Sequence, residues 1–343
     1  MDAPGRIYFK AKMPTYELEE TPTKILRLAR EIFATFIPPI ILLEVARQAV
    51  HHLLGKLMLK ERERFFNPTT TVNFNSMGAI PLSLTTPDGK VLDGKYIKSE
   101  KRNKDSKTVI IFNGKGERYE EKSLFNKYVY DDESILVPRE NLYNFLNDGY
   151  DVVVFNYRGV SESTGWSSCD GLKLDAETVY QFVRDKLEVP DEKIVLWGFS
   201  LGGSIATFLA SKHPVSLINV RSFSSLSHVV RYHATCIAAF ILILLDWCIH
   251  PAADWRKVKG KKIVVYHPDD PIIPLYCSLF KWVESATAHI TLKSDKAYFE
   301  EICRAVPEEK RADFIHKLKK DWKITPHSRT LSDEEMSTIL SCI

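Results

Sequence analysis

No Cys-x-x-C pair occurs in the 343 residues, and the six cysteines (Cys169, Cys236, Cys248, Cys277, Cys303 and Cys342) are widely spread. That spacing argues against a zinc module and against a disulfide framework, and it suits a reducing compartment. Charge of one sign is also scarce. The formal net charge of +3 is too small to argue for nucleic acid as a partner, and all of it lies in the first 66 residues, which hold 11 Lys+Arg against 8 Asp+Glu. Long hydrophobic runs are missing. The uncharged stretch Ile32–Leu43 has 12 residues and is broken by Pro38-Pro39, and Tyr232–Leu245 has 14 and stops at Asp246. A membrane-crossing helix needs about 20, so neither is expected to span. Residues 1–22 lack the apolar core of a secretory signal. There is no internal repeat, no low-complexity tract, no Walker phosphate loop and no G-x-G-x-x-G. No cofactor and no metal site is expected.

What remains is a globular composition, 45% hydrophobic and 27% charged. Lys24–Lys60 has helical spacing, with Ile25, Leu28, Ile32 and Phe36 against Lys24, Arg27 and Arg30. It is either a set of helices packed on the main domain or an amphipathic element offering peripheral membrane contact. His51 and His52 are adjacent, so in a helix they point apart and do not suggest a ligand pair. Glu61–Asn67 is a charged linker. Strands are expected at Thr71–Phe74, Ile80–Thr86, Val91–Ile97, Val109–Phe112, Asp151–Tyr157, Leu217–Phe223, Ile263–Tyr266 and Ala288–Lys293, with Asp88-Gly89 as a hairpin turn. Helices are expected at Leu142–Leu146, Leu174–Leu187, Lys296–Trp322 and Ser332–Leu340, the last opened by the capping box Ser332-Asp333-Glu334-Glu335. Tyr232–Leu245 is either a buried helix or the apolar wall of a cap.

The chain is organised around Asp191–Gly203, DEKIVLWGFSLGG. Ile194–Trp197 is apolar enough for a strand buried on both faces. Gly198-Phe199-Ser200-Leu201-Gly202 makes G-x-S-x-G, and a helix follows from Gly203. Strand, sharp turn and helix in that order are what a nucleophile elbow requires, with glycines where strand and helix come too close for side chains. Alternating strands and helices imply a mostly parallel sheet with helices on both faces, whose carboxyl edge gathers ligands. Asn113–Glu117, Arg158–Gly165, Ser200 and Pro268–Pro274 all fall at that edge.

With these pieces in place, TTPDGKVLDGKYI, IIFNGKGE, FNYRGVSESTG, GFSLGG and HPDDPIIP, the chain from about Thr71 onward resembles the α/β-hydrolase superfamily. The phrases are most similar to the lipase/esterase-like and acylpeptide-peptidase-like branches, and to predicted hydrolases of intracellular bacterial pathogens. The resemblance implies an eight-stranded, mostly parallel sheet over residues 67–343; the residue pattern adds an N-terminal helical extension over 1–66, a candidate cap element at 227–258 and a helical insertion at 296–322. The resemblance also implies cofactor-free hydrolysis of an ester, thioester or amide, on a small-molecule or lipid acyl substrate, in the cytoplasm or at a membrane surface.

The family's order of triad residues is Ser, then Asp or Glu, then His. No carboxylate occurs from Val215 through Leu245, so the acid falls in His267-Pro268-Asp269-Asp270-Pro271-Ile272-Ile273-Pro274. Family members place it just before an apolar pair and a proline, which selects Asp270 over Asp269. Three histidines follow. His289 lies within the last strand and His316 among lysines of a helix, whereas His327 occupies the loop before the final helix, where the family places its base. The 57 positions from Asp270 to His327 exceed the family's usual spacing, and Lys296–Trp322 is read as the insertion that accounts for them. The oxyanion hole would use the backbone N–H of Leu201 and, where the family often has His-Gly but this chain has Asn113-Gly114, that of Lys115. A non-catalytic binding or membrane-associated protein of the same fold, and an aminopeptidase or acylpeptidase, are the alternatives.

Overall fold

The computed structural model describes residues 5–16, 50, 74–121, 125–130, 133–138, 141–303, 308–320 and 325–343. Apart from Val50, the Lys24–Lys60 stretch with its histidine pair lies outside the described residues, as do the Glu61–Asn67 linker and the boundary expected at 66/67.

Among the described residues nine strands form the main sheet, one more than expected. They are β1 (Ile7–Lys10), β2 (Ile80–Thr85), β3 (Val91–Ile97), β4 (Thr108–Phe112), β7 (Asp151–Phe155), β8 (Ile194–Phe199), β9 (Ser216–Val220), β10 (Lys262–Tyr266) and β11 (Ala288–Thr291), in spatial order β1-β2-β3-β7-β4-β8-β9-β10-β11. Strand β3 runs antiparallel to both β2 and β7, and every other pairing is parallel. The extra strand is β1, taken from a segment the sequence assigns to a helical extension. It pairs with β2, and Ala11 N–H donates to the Thr85 carbonyl at 2.9 Å. Two further strands, β5 (Phe125–Tyr130) and β6 (Glu133–Pro138), form a separate antiparallel hairpin that the sequence did not predict. Phe74, expected to end a strand, instead begins a 3-10 turn, Phe74–Met77; residues 71–73 lie outside the described residues.

The strand interiors alternate between two cores because side-chain direction has period two. Ile110, Phe112, Val153, Leu196 and Leu217 join one core, and Val109, Ile111, Val154, Trp197 and Ile218 the other. Helices cover both. The helices are α1 (Asn141–Asn147), α2 (Cys169–Gln181), α3 (Leu201–Ala210), α4 (Leu226–His233), α5 (Cys236–Leu244), α6 (Pro251–Trp255), α7 (Asp295–Ile302), α8 (Glu308–Lys320) and α9 (Asp333–Ser341). Leu172 of α2 and Ile205 of α3 face the first core, and Phe145 of α1 and Ile339 of α9 the second. Strand β4 leads to β7 on one side while β8 flanks it on the other, so the chain's direction switches between β4 and β8. That is the point at which open α/β sheets leave a crevice beyond their carboxyl ends.

The uncharged run Tyr232–Leu245 is not wholly buried. It breaks between α4 and α5; Ala239, Leu242 and Leu245 are buried, while Ile237, Phe240 and Ile241 are exposed. The expected insertion holds two helices, α7 and α8. Among the described residues no helix is long and apolar enough to cross a membrane.

Candidate active site

Ser200 stands between β8 and α3 with φ 51° and ψ −116°, a conformation that non-glycine residues rarely adopt. Its backbone is held by the N–H bond to the Val220 carbonyl at 2.9 Å. The flanking glycines follow from crowding. A Cβ at Gly202 would fall 2.2 Å from the Phe112 carbonyl oxygen, and one at Gly198 would fall 2.5 Å from Gly203 Cα. Strand β4, strand β8 and helix α3 therefore meet backbone to backbone, and the serine is the side chain left at the turn.

Asp270 follows β10 in a tight turn and is buried. Its Oδ1 accepts the N–H groups of Ile272 and Ile273 at 2.9 and 2.8 Å, which leaves Oδ2 to face His327 Nδ1 at 2.7 Å. The other imidazole nitrogen of His327, Nε2, is 3.1 Å from Ser200 Oγ. Facing a carboxylate, Nδ1 carries the hydrogen, so Nε2 is free to accept from the serine hydroxyl. The turn is held in part by His267, whose Nδ1 accepts the Asp269 N–H at 3.0 Å. Burial, reinforced by the charge of Arg329, holds His267 below the usual histidine range and so keeps that nitrogen an acceptor.

Of the other predicted positions, Leu201 is the first residue of α3. Lys115 lies in the loop after β4, which is pressed against the elbow; a Cβ at Gly114 would come within 2.8 Å of the Phe199 ring. Glu117 fastens this loop by accepting the Gly114 N–H on Oε2 at 3.0 Å. His289 and His316 are exposed, on β11 and α8, and Asp269 is exposed in the turn. In the Arg158–Gly165 loop the Arg158 guanidinium is buried against Asp175 and Asp88, both at 2.8 Å, tying the loop to α2 and to the β2–β3 turn. Among the described residues no group of three or more His, Cys, Asp or Glu side chains could hold a metal ion.

Residues 107–259 match the family model described as the alpha/beta hydrolase fold. The sheet has the α/β-hydrolase fold. Among curated proteins it is 30% identical over 211 residues to an uncharacterized protein of Acanthamoeba polyphaga mimivirus, covering 56% of this chain and 65% of that one. It is 27% identical over 156 residues to the lysophosphatidylserine lipase ABHD12 of Gallus gallus, covering 40% of each. The chain thus spans less than two thirds of the length of either relative. Among solved structures, an esterase of Pyrococcus furiosus aligns with a TM-score of 0.48 and 19% identity, over 71% of this chain and 91% of that one.

Within this fold, the supports of the histidine loop escaped sequence reasoning. Arg221, at the end of β9, donates from Nη1 to the carbonyls of Pro326 and His327 at 2.8 and 3.0 Å. It is buried, and its Cζ lies 5.2 Å from the centre of the Phe199 ring, which in turn lies 5.1 Å from the His327 ring. Burial, then the nearby charge of Arg329, lowers its pKa to about 10. One signal was available: Arg221 is the lone Lys, Arg, Asp or Glu from Val215 through Val230, an expensive residue to leave in an apolar stretch.

The far side of the loop is held by Arg329, which meets both oxygens of Glu335 at 2.8 and 2.7 Å and donates to the Lys293 carbonyl. Burial alone would raise the Glu335 pKa, but the Arg329 hydrogen bonds and charge outweigh it and hold the carboxyl below its usual range. Such a group stabilises the fold above its unfolded pKa, and that contribution is lost as pH falls from there through the lower folded value. We expect Arg329→Ala to cost about 3–5 kcal/mol, because it strands a buried carboxylate. Urea unfolding across the acid range checks the linkage: Glu335→Gln should flatten the wild-type fall in stability below about pH 4.5. An unchanged slope would show that the pair does not carry that dependence.

Proposed function

We propose that the protein is a serine hydrolase that cleaves an acyl ester through Ser200, His327 and Asp270, by way of an acyl-enzyme. The observation that carries this reading is His327, placed between Asp270 Oδ2 at 2.7 Å and Ser200 Oγ at 3.1 Å. A serine hydroxyl is a weak nucleophile until a base can take its proton as it attacks. His327 Nε2 takes that proton while Oγ bonds to the acyl carbon, and Asp270 stabilises the imidazolium that forms. The backbone N–H groups of Leu201 and Lys115 receive the developing oxyanion. His327 then gives its proton to the departing alkoxide, and the acyl group stays on Ser200. Water attacks the acyl carbon and loses a proton to His327, which returns it to Ser200 Oγ as the acyl–oxygen bond breaks and the acid leaves.

For substrate we favour a lipid acyl ester. Support comes from one relative, a lysophosphatidylserine lipase. Thioester and amide bonds would follow the same proton path. A fluorophosphonate probe should label the wild-type protein and spare Ser200→Ala. Labelling that survives the substitution would end the assignment.

A further inference from the structure

Helix α5 faces solvent with the side of it that looks made for burial. Ile237, Phe240 and Ile241 are 72%, 60% and 47% exposed, at the i, i+3, i+4 spacing that puts them on one face. Ala239 and Leu242 take the core side instead. The exposure is concentrated: of twelve large hydrophobic side chains exposed among the described residues, eight fall in two segments, 226–244 and 272–282. Contacts join the segments into one surface. His233 Nε2 is 2.8 Å from the Ile272 carbonyl oxygen, Cys277 Sγ is 3.6 Å from the His228 carbonyl oxygen, and the His228 ring lies 4.9 Å from that of Trp282. The surface borders the acid turn, since the Ile272 N–H itself binds Asp270 Oδ1.

Its chemistry narrows the occupant. A contiguous exposed apolar patch of this kind marks an interaction site. Each segment carries one formally charged side chain, Arg231 in the first and Lys281 in the second; both are exposed and both positive, and neither segment has a carboxylate. Tyr232, Tyr276 and Trp282 add exposed rings with a polar atom, the type that settles at a lipid–water boundary. Aliphatic side chains projecting from a helix, aromatic rings and cations without acids together match acyl chains beneath anionic headgroups.

We propose that the α4–α5 helices and the 272–282 segment dock the protein on an anionic lipid bilayer, placing the Ser200 site at the membrane surface. As an account of substrate delivery this rests on the lipid-ester hydrolase reading, although docking itself can be measured without catalysis. The test uses the full chain with vesicles of phosphatidylcholine, alone or mixed with phosphatidylglycerol, followed by sedimentation. Turnover of water-soluble p-nitrophenyl acetate is measured in parallel. The wild type should sediment with the mixed vesicles. Ile237→Ser with Phe240→Ser should weaken that binding by at least about tenfold, and Arg231→Ala with Lys281→Ala should weaken it several-fold, in a salt-sensitive way. Turnover of p-nitrophenyl acetate should stay within about twofold of wild type in both pairs, because none of the four side chains bonds to the triad.

Wild type that ignores anionic vesicles overturns the proposal, and so do variants that bind as wild type does, which would place membrane contact elsewhere. A concentration-dependent dimer that Ile237→Ser with Phe240→Ser abolishes, without vesicle binding, also overturns it and makes the face a protein interface. Should the apolar pair lower p-nitrophenyl acetate turnover, the cation pair decides, and unchanged vesicle binding there counts against docking. Vesicle binding by a protein that hydrolyses no ester would support docking while removing the hydrolase reading.

Discussion

Ser200→Ala and His327→Ala, singly and together, are expected to lower kcat by about the same factor, on the order of 10⁵ to 10⁶, with little change in KM. The equality follows from the geometry. Ser200 Oγ meets His327 Nε2 at 3.1 Å, and each is useful in the proposed reaction only through the other. Once the base is gone the hydroxyl keeps its proton, and once the hydroxyl is gone the base has nothing to activate, so the double variant should be hardly worse than either single one. What remains would come from the backbone N–H groups of the elbow and from substrate binding. Steady-state kinetics on p-nitrophenyl acetate, with the three variants checked for native unfolding midpoints, decides the matter. Losses that multiply in the double variant would mean that the two residues act on separate steps, and the proposed mechanism would fall.

How much of this was visible in the sequence depended on the range of the interaction. The elbow was legible because its causes are local: an apolar strand, glycines where backbones touch, and a helix whose first residue follows Ser200. Asp270 and His327 were read as loop positions in a known chain order, and the long interval between them holds α7 and α8. Strand β1 was not legible. Its four residues, IYFK, carry too short a pattern, and what makes them a strand is the exposed edge of β2, far along the chain. The capping box at Ser332 was read correctly as the start of α9. Its glutamate, however, also serves Arg329 with both oxygens, and no local pattern announces that pairing. For Tyr232–Leu245 the sequence left a buried helix and a cap wall both open; packing against the core uses the smaller Ala239 and its neighbour Leu242 and leaves Ile237, Phe240 and Ile241 exposed.

The two aspartates of the acid turn separate the proposed triad from a coincidence of loops. We expect Asp270→Asn to lower kcat by about 10⁴-fold while Asp269→Asn changes it by no more than a few-fold. Asp270 Oδ1 accepts two backbone N–H groups, from Ile272 and Ile273. An asparagine at 270 can keep those bonds only with its oxygen on that side, so its NH₂ group must face His327 Nδ1. That nitrogen must then accept, the imidazole proton moves to Nε2, and Nε2 can no longer take a proton from Ser200. The fold is spared and the tautomer is wrong. At Asp269 the bond that matters is its backbone N–H to His267 Nδ1, which any side chain at 269 retains, and its own carboxylate is exposed. Kinetics on the two variants, with unfolding midpoints measured alongside, gives the contrast directly. Equal losses with both proteins folded would show that the His327–Asp270 contact does not set the tautomer, and the acid would have to be sought elsewhere in the turn.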